Sequence, residues 1–536
     1  MNNVNLGSRA WNLLLDLAAY KSVSQTRGEG EIARFIYSRL GNHPYFRTNP
    51  ALLRFLALPA PNQPGVVAAL VRGKGDKTVL ILNHHDVVEA EGYGPYKDLA
   101  FSPLALTKAL DPAALPAQAR EDLAGGEWVF GRGTMDMLFG LALQLEMTLD
   151  RAAAPAVPGN ILFVSVPDEE NNSLGMRHAV SLIREIQQEH YLDFTACLNC
   201  EPHGYDKDGH VVQTGSDGKL LALVCCFGRV THAGALYEGL NPHLLLAETV
   251  RLLELNPGFC DRAAGALTFP PTVLRGGDSK GGYNVTTPAN AWAFFNIFTL
   301  AAAPEEILAK LARLCQQAAA NAQEKVIRSA QAWAHMSGEA LAPPSWQPRV
   351  LTYAQLRLEA GQGLDSRLDA LAAVLQEQGA DLQQLTLALV EETHRASPDQ
   401  APKIVVALAP PFYPPVCNSR QSKKEQNIMA AVKDLQGFAR GLGVELVHAE
   451  FHRGISDLSY GSLQDPGDGR AFQENCPAWG RAYHLPLAEM AKIGAPALNL
   501  GPWGRDVHQW TERIHYPFAT VTLPRLLQRL VRRLLG

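Results

Sequence analysis

The sequence predicts an α/β fold: a three-layer main domain around a mostly parallel central sheet, with an inserted α+β domain that carries an extra helical subdomain. Three observations lead there. Short apolar, β-branched runs alternate with helical stretches early in the chain. The pattern changes near Gly215 and resumes near Lys424. At 536 residues, the chain equals roughly three to four domains of about 150 residues each.

Between Gly7 and Leu40, apolar Leu13, Leu14, Leu17, Ala18, Ile32, Phe35, Ile36 and Leu40 recur at helical spacing, predicting two amphipathic helices. Apolar runs at 66–71, 78–83 and 160–166 read as strands, with a helix over 138–149 between the last two. Strands of this kind belong in a sheet covered on both faces, and ligands collect in the loops beyond such strand ends. Here those loops are rich in His, Asp and Glu. From 220 the order becomes strand (220–234), helix (243–255), strand (286–300) and long helix (303–327). The stretch 329–396, rich in Gln, Glu and Leu, is too long for a loop and reads as a helical insert. A strand at 403–411 closes the inserted domain. The α/β pattern then returns with helices at 424–442, 487–493 and 523–535 and apolar runs at 444–451 and 496–502. The expected division is 1–215 and 413–536 for the main domain and 216–412 for the insertion.

Composition excludes several classes. A net charge of −5 and a pI near 6.4 give no basic field for nucleic acid or an anionic membrane. Eight cysteines in so long a chain are sparse and irregularly spaced, which argues against a disulfide scaffold or a thiolate zinc site. No apolar run approaches the ~20 residues that span a bilayer, and the first residues lack a signal-peptide pattern. A cytoplasmic protein with no nucleic-acid or membrane partner is expected.

Five clusters, each beyond an apolar run, carry metal-binding side chains. In Asn83-His84-His85-Asp86, residues two apart point the same way, so His84 can bind a metal while Asp86 supports its geometry. Gly131-Arg132-Gly133-Thr134-Met135-Asp136 presents one carboxylate before a helix. Asp168-Glu169-Glu170 and Cys200-Glu201-Pro202-His203 supply more acids, and Gly501 to His508 ends in a histidine with Glu512 one turn beyond. Singly, each has an ordinary explanation as a turn, a cap or a solvated face. Together they give two histidines and three or four carboxylates, a set suited to two zinc-like ions sharing a bridging carboxylate.

The motifs H-x-D-V-V, G-R-G-x-x-D, D-E-E, E-P and H-x-x-x-E, in that order, resemble the co-catalytic dizinc hydrolases typified by aminoacylase, acetylornithine deacetylase, succinyl-diaminopimelate desuccinylase and related carboxypeptidases and dipeptidases. The resemblance runs from about 77 to 514 without the helical insert. NVTTP…FFNIFTL, APPFYPP and the overall length look like the RocB, or arginine-utilisation, branch. The resemblance implies that Asp136 bridges two metals, that His84 and Glu201 complete one ion, and that Glu170 and His508 complete the other. It also implies that Asp86 orients His84 and that Glu169 is the general base, taking a proton from metal-bound water to give the attacking hydroxide. The Gly228-to-Gly234 segment resembles the lid motif whose histidine, here His232, helps stabilise the oxyanion, often across a dimer. Gly454-Ile455-Ser456-Asp457 resembles the family's Gly-Thr-Asp turn.

The sequence also departs from the family. Phe298 stands where a carboxylate-clamping arginine is usual, with Arg275 as a candidate substitute, and Leu138 replaces a common lysine. The expected activity is hydrolysis of an amide in a small amino-acid-derived molecule, by N-deacylation or peptide cleavage, within amino-acid (arginine) catabolism. The alternative is a non-catalytic metal- or ligand-binding or complex-forming protein; loss of Glu169 would be its mark, and Glu169 is present. The ligand set favours zinc, with cobalt or manganese compatible, and both monomer and homodimer are open.

Overall fold

The computed structural model describes every residue except 1–2, 61, 205–208, 342–345, 362, 466 and 468. The chain divides into two units: Met1–Asp217, Pro415–Pro466 and Pro486–Gly536 form the first, Gly218–Pro414 and Gly467–Leu485 the second.

The first unit is built on eight strands in the spatial order Leu53–Ala57, Gly65–Val71, Pro158–Val166, Lys74–His84, Asp193–Asn199, Ala497–Asn499, His210–Gln213 and Leu446–Ala449. Its centre is parallel: Lys74–His84 pairs that way with both neighbours, and Ala497–Asn499 continues the direction beside Asp193–Asn199. The pleat explains the continuous apolar runs. Val67, Ala69, Val71, Val79, Ile81, Ile161 and Phe163 share one core with the helices Asn3–Ala18, Phe139–Ala153, Lys423–Arg440 and Leu523–Leu535. The alternate residues Leu70, Leu80, Leu82, Leu162 and Val164 are equally buried, and the helix Leu174–Glu189 packs against the strands Gly65–Val71 and Pro158–Val166. A residue buried on either face must be apolar whichever way it points, so period-2 polarity vanishes. A small antiparallel sheet of Trp128–Phe130, Arg513–His515 and Gly504–Arg505 stands apart from the large one.

The second unit has a five-stranded sheet in the order Thr272–Gly277, Asn290–Thr299, Gly218–Phe227, Lys403–Tyr413 and Arg349–Thr352. All its pairings are antiparallel except the last. The long helix runs Pro304–Ser337, ten residues past the end expected at 327. Pro304 opens it with two acids in the first turn, and Gly338, at φ 74°, ends it. The stretch expected to be a wholly helical insert contains the strand Arg349–Thr352, which pairs with Lys403 to Val406 at the sheet edge. Its helices Tyr353–Ala360 and Leu382–Ala396 each start with a capping box, Thr352 with Gln355 and Asp381 with Gln384. Residues 467–485, assigned by sequence to the main domain, fold with the second unit. There Phe472 stacks on Phe412 at 4.6 Å between centroids, and the Tyr483 hydroxyl accepts from the Phe412 N–H at 2.9 Å. Among the described residues, no helix is long and apolar enough to cross a membrane.

Candidate metal centre

His84 is the last residue of a central strand, and its ring is 1 % exposed. Its Nδ1 lies 3.0 Å from the backbone carbonyl of Asp86, an acceptor, so Nδ1 carries the proton. In the neutral ring, Nε2 then turns a lone pair toward Asp136 Oδ1 at 3.3 Å and Glu201 Oε1 at 3.6 Å. Acceptors facing acceptors in a buried site call for a proton or a cation between them. Burial works to lower the His84 pKa, yet Glu201, Asp136 and Asp86 outweigh it and hold the ring well above its ordinary value.

Asp136 joins the two ends of the site. Its Oδ2 lies 3.2 Å from Nε2 of His508, which in turn lies 3.0 Å from Glu170 Oε1. Burial raises the Asp136 pKa, but the two imidazoles more than reverse it and hold the carboxyl below its ordinary range. His508 is raised to about 11, its burial overcome by Asp136 and Glu170. Ligand atoms of His84, Asp136 and Glu170 fall within 4.8 Å of one another. This donor set, two imidazole nitrogens and the carboxylates of Glu170 and Glu201 gathered around the two oxygens of Asp136, fits divalent cations.

The turns that deliver these groups come close enough to require glycine. Gly133 has φ 74°, and a Cβ there would meet Val87 Cγ1 at 2.6 Å; at Gly501 it would lie 2.1 Å from the Glu201 carbonyl oxygen. The Asp136–Met137 peptide is cis.

A surrounding set of hydrogen bonds holds the ligands. The Asp86 carboxylate does not chiefly face His84, whose ring nitrogen is 3.6 Å from Oδ1. It accepts from the backbone N–H groups of Glu169 at 3.1 Å and Glu170 at 3.2 Å and from Ser24 Oγ at 2.7 Å. Asp86 therefore ties the acidic loop to the strand end, and it touches His84 mainly through its own carbonyl. Asn499 receives the Glu201 N–H at 2.9 Å and donates to the Glu201 carbonyl at 3.0 Å, while Asn199 donates to Glu201 Oε1 at 3.3 Å. Burial raises Glu201 to about 7 against the pull of His84. Glu169 is buried, and desolvation, opposed by His84, pushes its carboxyl well above the ordinary range. Asp457 is buried too and accepts from Ser173 Oγ at 3.3 Å.

The sequence reading overlooked three partners. Ser24 and the two asparagines carry no motif; only the fold brings them in from distant segments. Arg132 sits inside the quoted G-R-G turn, where a charge among glycines was a usable signal. It forms a buried ion pair with Glu512.

Three other expected groups belong to the second unit. His232 belongs to the second unit, is exposed, and accepts the Gly234 N–H on Nδ1 at 3.0 Å. Arg275 pairs with Asp381 at 3.0 Å in the same unit. Phe298 lies on the strand Asn290–Thr299, opposite Lys219.

Comparison with known proteins gives a consistent set of likenesses. Residues 107–464 match the model of peptidase family M20/M25/M40. The uncharacterised protein YqjN of Bacillus subtilis is 36 % identical over 533 residues, covering 98 % of this chain and 96 % of the relative. Protein RocB of the same organism is 28 % identical over 545 residues, 100 % of this chain and 96 % of its own length. Among solved structures, aminopeptidase PepT from Bacillus cereus aligns over 99 % of both chains with a TM-score of 0.52 at 13 % identity, a likeness of fold.

Proposed function

The chain belongs to peptidase family M20/M25/M40, and from that premise we propose that it hydrolyses an amide bond in a small amino-acid-derived substrate at a centre for two divalent ions, zinc by preference. The observation that carries this reading is Asp136, with each carboxylate oxygen facing the Nε2 of a different histidine. His84 and Glu201 would hold one ion, Glu170 and His508 the other, with Asp136 shared. When bound, such ions acidify water and polarise a carbonyl.

Glu169 is the proton carrier. It sits beside the ligand Glu170 on a loop whose N–H groups donate to the Asp86 carboxylate. A carboxylate beside the centre can take a proton from water as its oxygen attacks the amide carbon, then give it to the nitrogen as the C–N bond breaks. Burial keeps Glu169 ready to hold that proton between the two steps. Likeness to RocB along the whole chain supports a role in amino-acid catabolism, with arginine the amino acid suggested by the branch resemblance.

The test is metal content per chain, together with hydrolysis of a panel of N-acyl amino acids and dipeptides, for wild type and Glu169→Ala. The expected result is two ions in both proteins, with turnover at least about 10²–10⁴-fold lower in the variant. Cleavage of acyl amino acids alone assigns a deacylase, of dipeptides alone a peptidase. Metal bound without turnover of any amide refutes the enzymatic reading.

A further inference from the structure

His508 has an unusual support. His84 is fixed by the hydrogen bonds of a central strand. His508 is 47 % exposed on its side chain and lies in a loop at φ 63°, between the two short strands Gly504–Arg505 and Arg513–His515. No sheet ladder reaches it, so something else must hold its Nε2 toward Asp136.

Arg132 and Glu512 occupy that position. The Arg132 guanidinium pairs with the Glu512 carboxylate, with both side chains at most 3 % exposed. Each of its nitrogens has a different duty. Nη2 donates to the carbonyl of His508 at 3.1 Å, and Nε donates to the carbonyl of Glu89 at 3.2 Å. The ring of Tyr93 lies 5.2 Å from the guanidinium carbon. The other Glu512 oxygen accepts from the Met135 N–H at 3.4 Å, and the Glu512 carbonyl accepts from the Gly131 N–H at 3.0 Å. Arg132 thus comes from the turn that ends in Asp136 and grips the backbone of His508. Glu512 comes from the His508 loop and grips the turn just before Asp136. The two connections run in opposite directions across one interval, the one spanned by the 3.2 Å contact between Asp136 and His508.

We propose that Arg132 and Glu512 are a reciprocal pair of positioning residues that sets the spacing of Asp136 and His508 and so the affinity for the ion at the His508 end. The inference rests on the two-ion reading above. A buried ion pair is weak support for stability as such, because an apolar pair of equal volume often serves as well. Its three side-chain hydrogen bonds to backbone, at His508, Met135 and the neighbouring Glu89, are what an apolar pair would not supply. A planar fork is also needed to reach Glu512 and His508 together, which lysine cannot do.

The test is a titration of metal-free full-length protein with Zn²⁺ against a chromogenic chelator, for wild type, Glu512→Gln, Arg132→Met and Arg132→Lys, with far-ultraviolet circular dichroism and thermal midpoints alongside. Wild type is expected to take up two ions in resolved steps; fewer than two overturns the two-ion reading itself. With two confirmed, Glu512→Gln and Arg132→Met are expected to weaken the second step about 10–100-fold, the usual size for the loss of a group that orients ligands. The first step stays within a few-fold, and Arg132→Lys falls between. Wild-type affinities in both steps for any folded variant overturn the inference, as does equal weakening of both steps. Loss of fold in all three variants also overturns it, because the pair would then serve the fold and not the centre.

Discussion

The His84 and His508 ends of the centre offer similar chemistry and very different support. At the first end the imidazole is buried at the end of a central strand, its tautomer set by the Asp86 carbonyl, with Glu201 held by two asparagines. At the second end the imidazole is half in solvent on a loop, and the charged pair Arg132–Glu512 replaces the ladder. The contrast separates two ways of placing a ligand. A strand end fixes a side chain through pairings needed for folding anyway, so it is rigid and closed to exchange. A loop needs dedicated partners and remains open to water. The two ends should therefore differ in how tightly they hold an ion and in how much a lost ligand matters.

The largest effect should come from removing the buried imidazole. His84→Ala is expected to lower metal content from two ions and to reduce kcat/KM by at least about 10³-fold, the loss of several kcal/mol of charge stabilisation. His508→Ala should lose one ion and fall less, because water can occupy the vacated position at the exposed end. Metal analysis with steady-state kinetics measures both; a greater loss in His508→Ala would reverse the ranking. Next in size, Asp86→Asn should cost about 10–100-fold in metal affinity or kcat/KM, as outer partners of ligands do. Ser24→Ala, which removes only one donor to Asp86, should cost a few-fold at most. Equal losses in the two variants would mean that Ser24 carries the whole effect.

The smallest test concerns proton uptake in the wall of the buried end. Glu29 is buried, accepts the Asp168 N–H at 2.8 Å, and is raised to about 9 by burial and by the charges of Asp86 and Asp168. A carboxyl raised in the folded state binds a proton there that the unfolded chain releases above about pH 4. Its contribution to stability is complete below that pH and is lost as pH rises toward 9, with a limit of about 1.4 kcal/mol per pH unit. Denaturant unfolding of the metal-loaded protein from pH 5 to 9 should show this decline, and Glu29→Gln should flatten it. An unchanged slope in Glu29→Gln would assign the decline to other groups.

The same contrast explains what could be read from the sequence. The strands carrying Val66 to Val71 and Thr78 to Asn83 were legible because double-sided burial demands unbroken apolar runs. His84, Asp136, Glu170, Glu201 and His508 could be singled out because each ends or follows such a run, and the fold brings them together. The reciprocal Arg132–Glu512 contact joins positions 380 residues apart, and no local pattern reports a pairing at that distance. Residues 467–485 fold with the second unit for the same reason: they are held there by contacts with Phe412 and Ala354, more than fifty residues away in sequence, which no local pattern reports. The strand Arg349–Thr352 is four residues long among helices, too short for periodicity to separate it from them.

The most direct test of the centre is anomalous X-ray diffraction at the zinc edge from crystals of the zinc-loaded protein. Two peaks are predicted, one bounded by His84, Glu201 and Asp136 and the other by Asp136, Glu170 and His508, with the second at lower occupancy. A single peak, two peaks that do not share Asp136, or no peak among these residues would contradict the account.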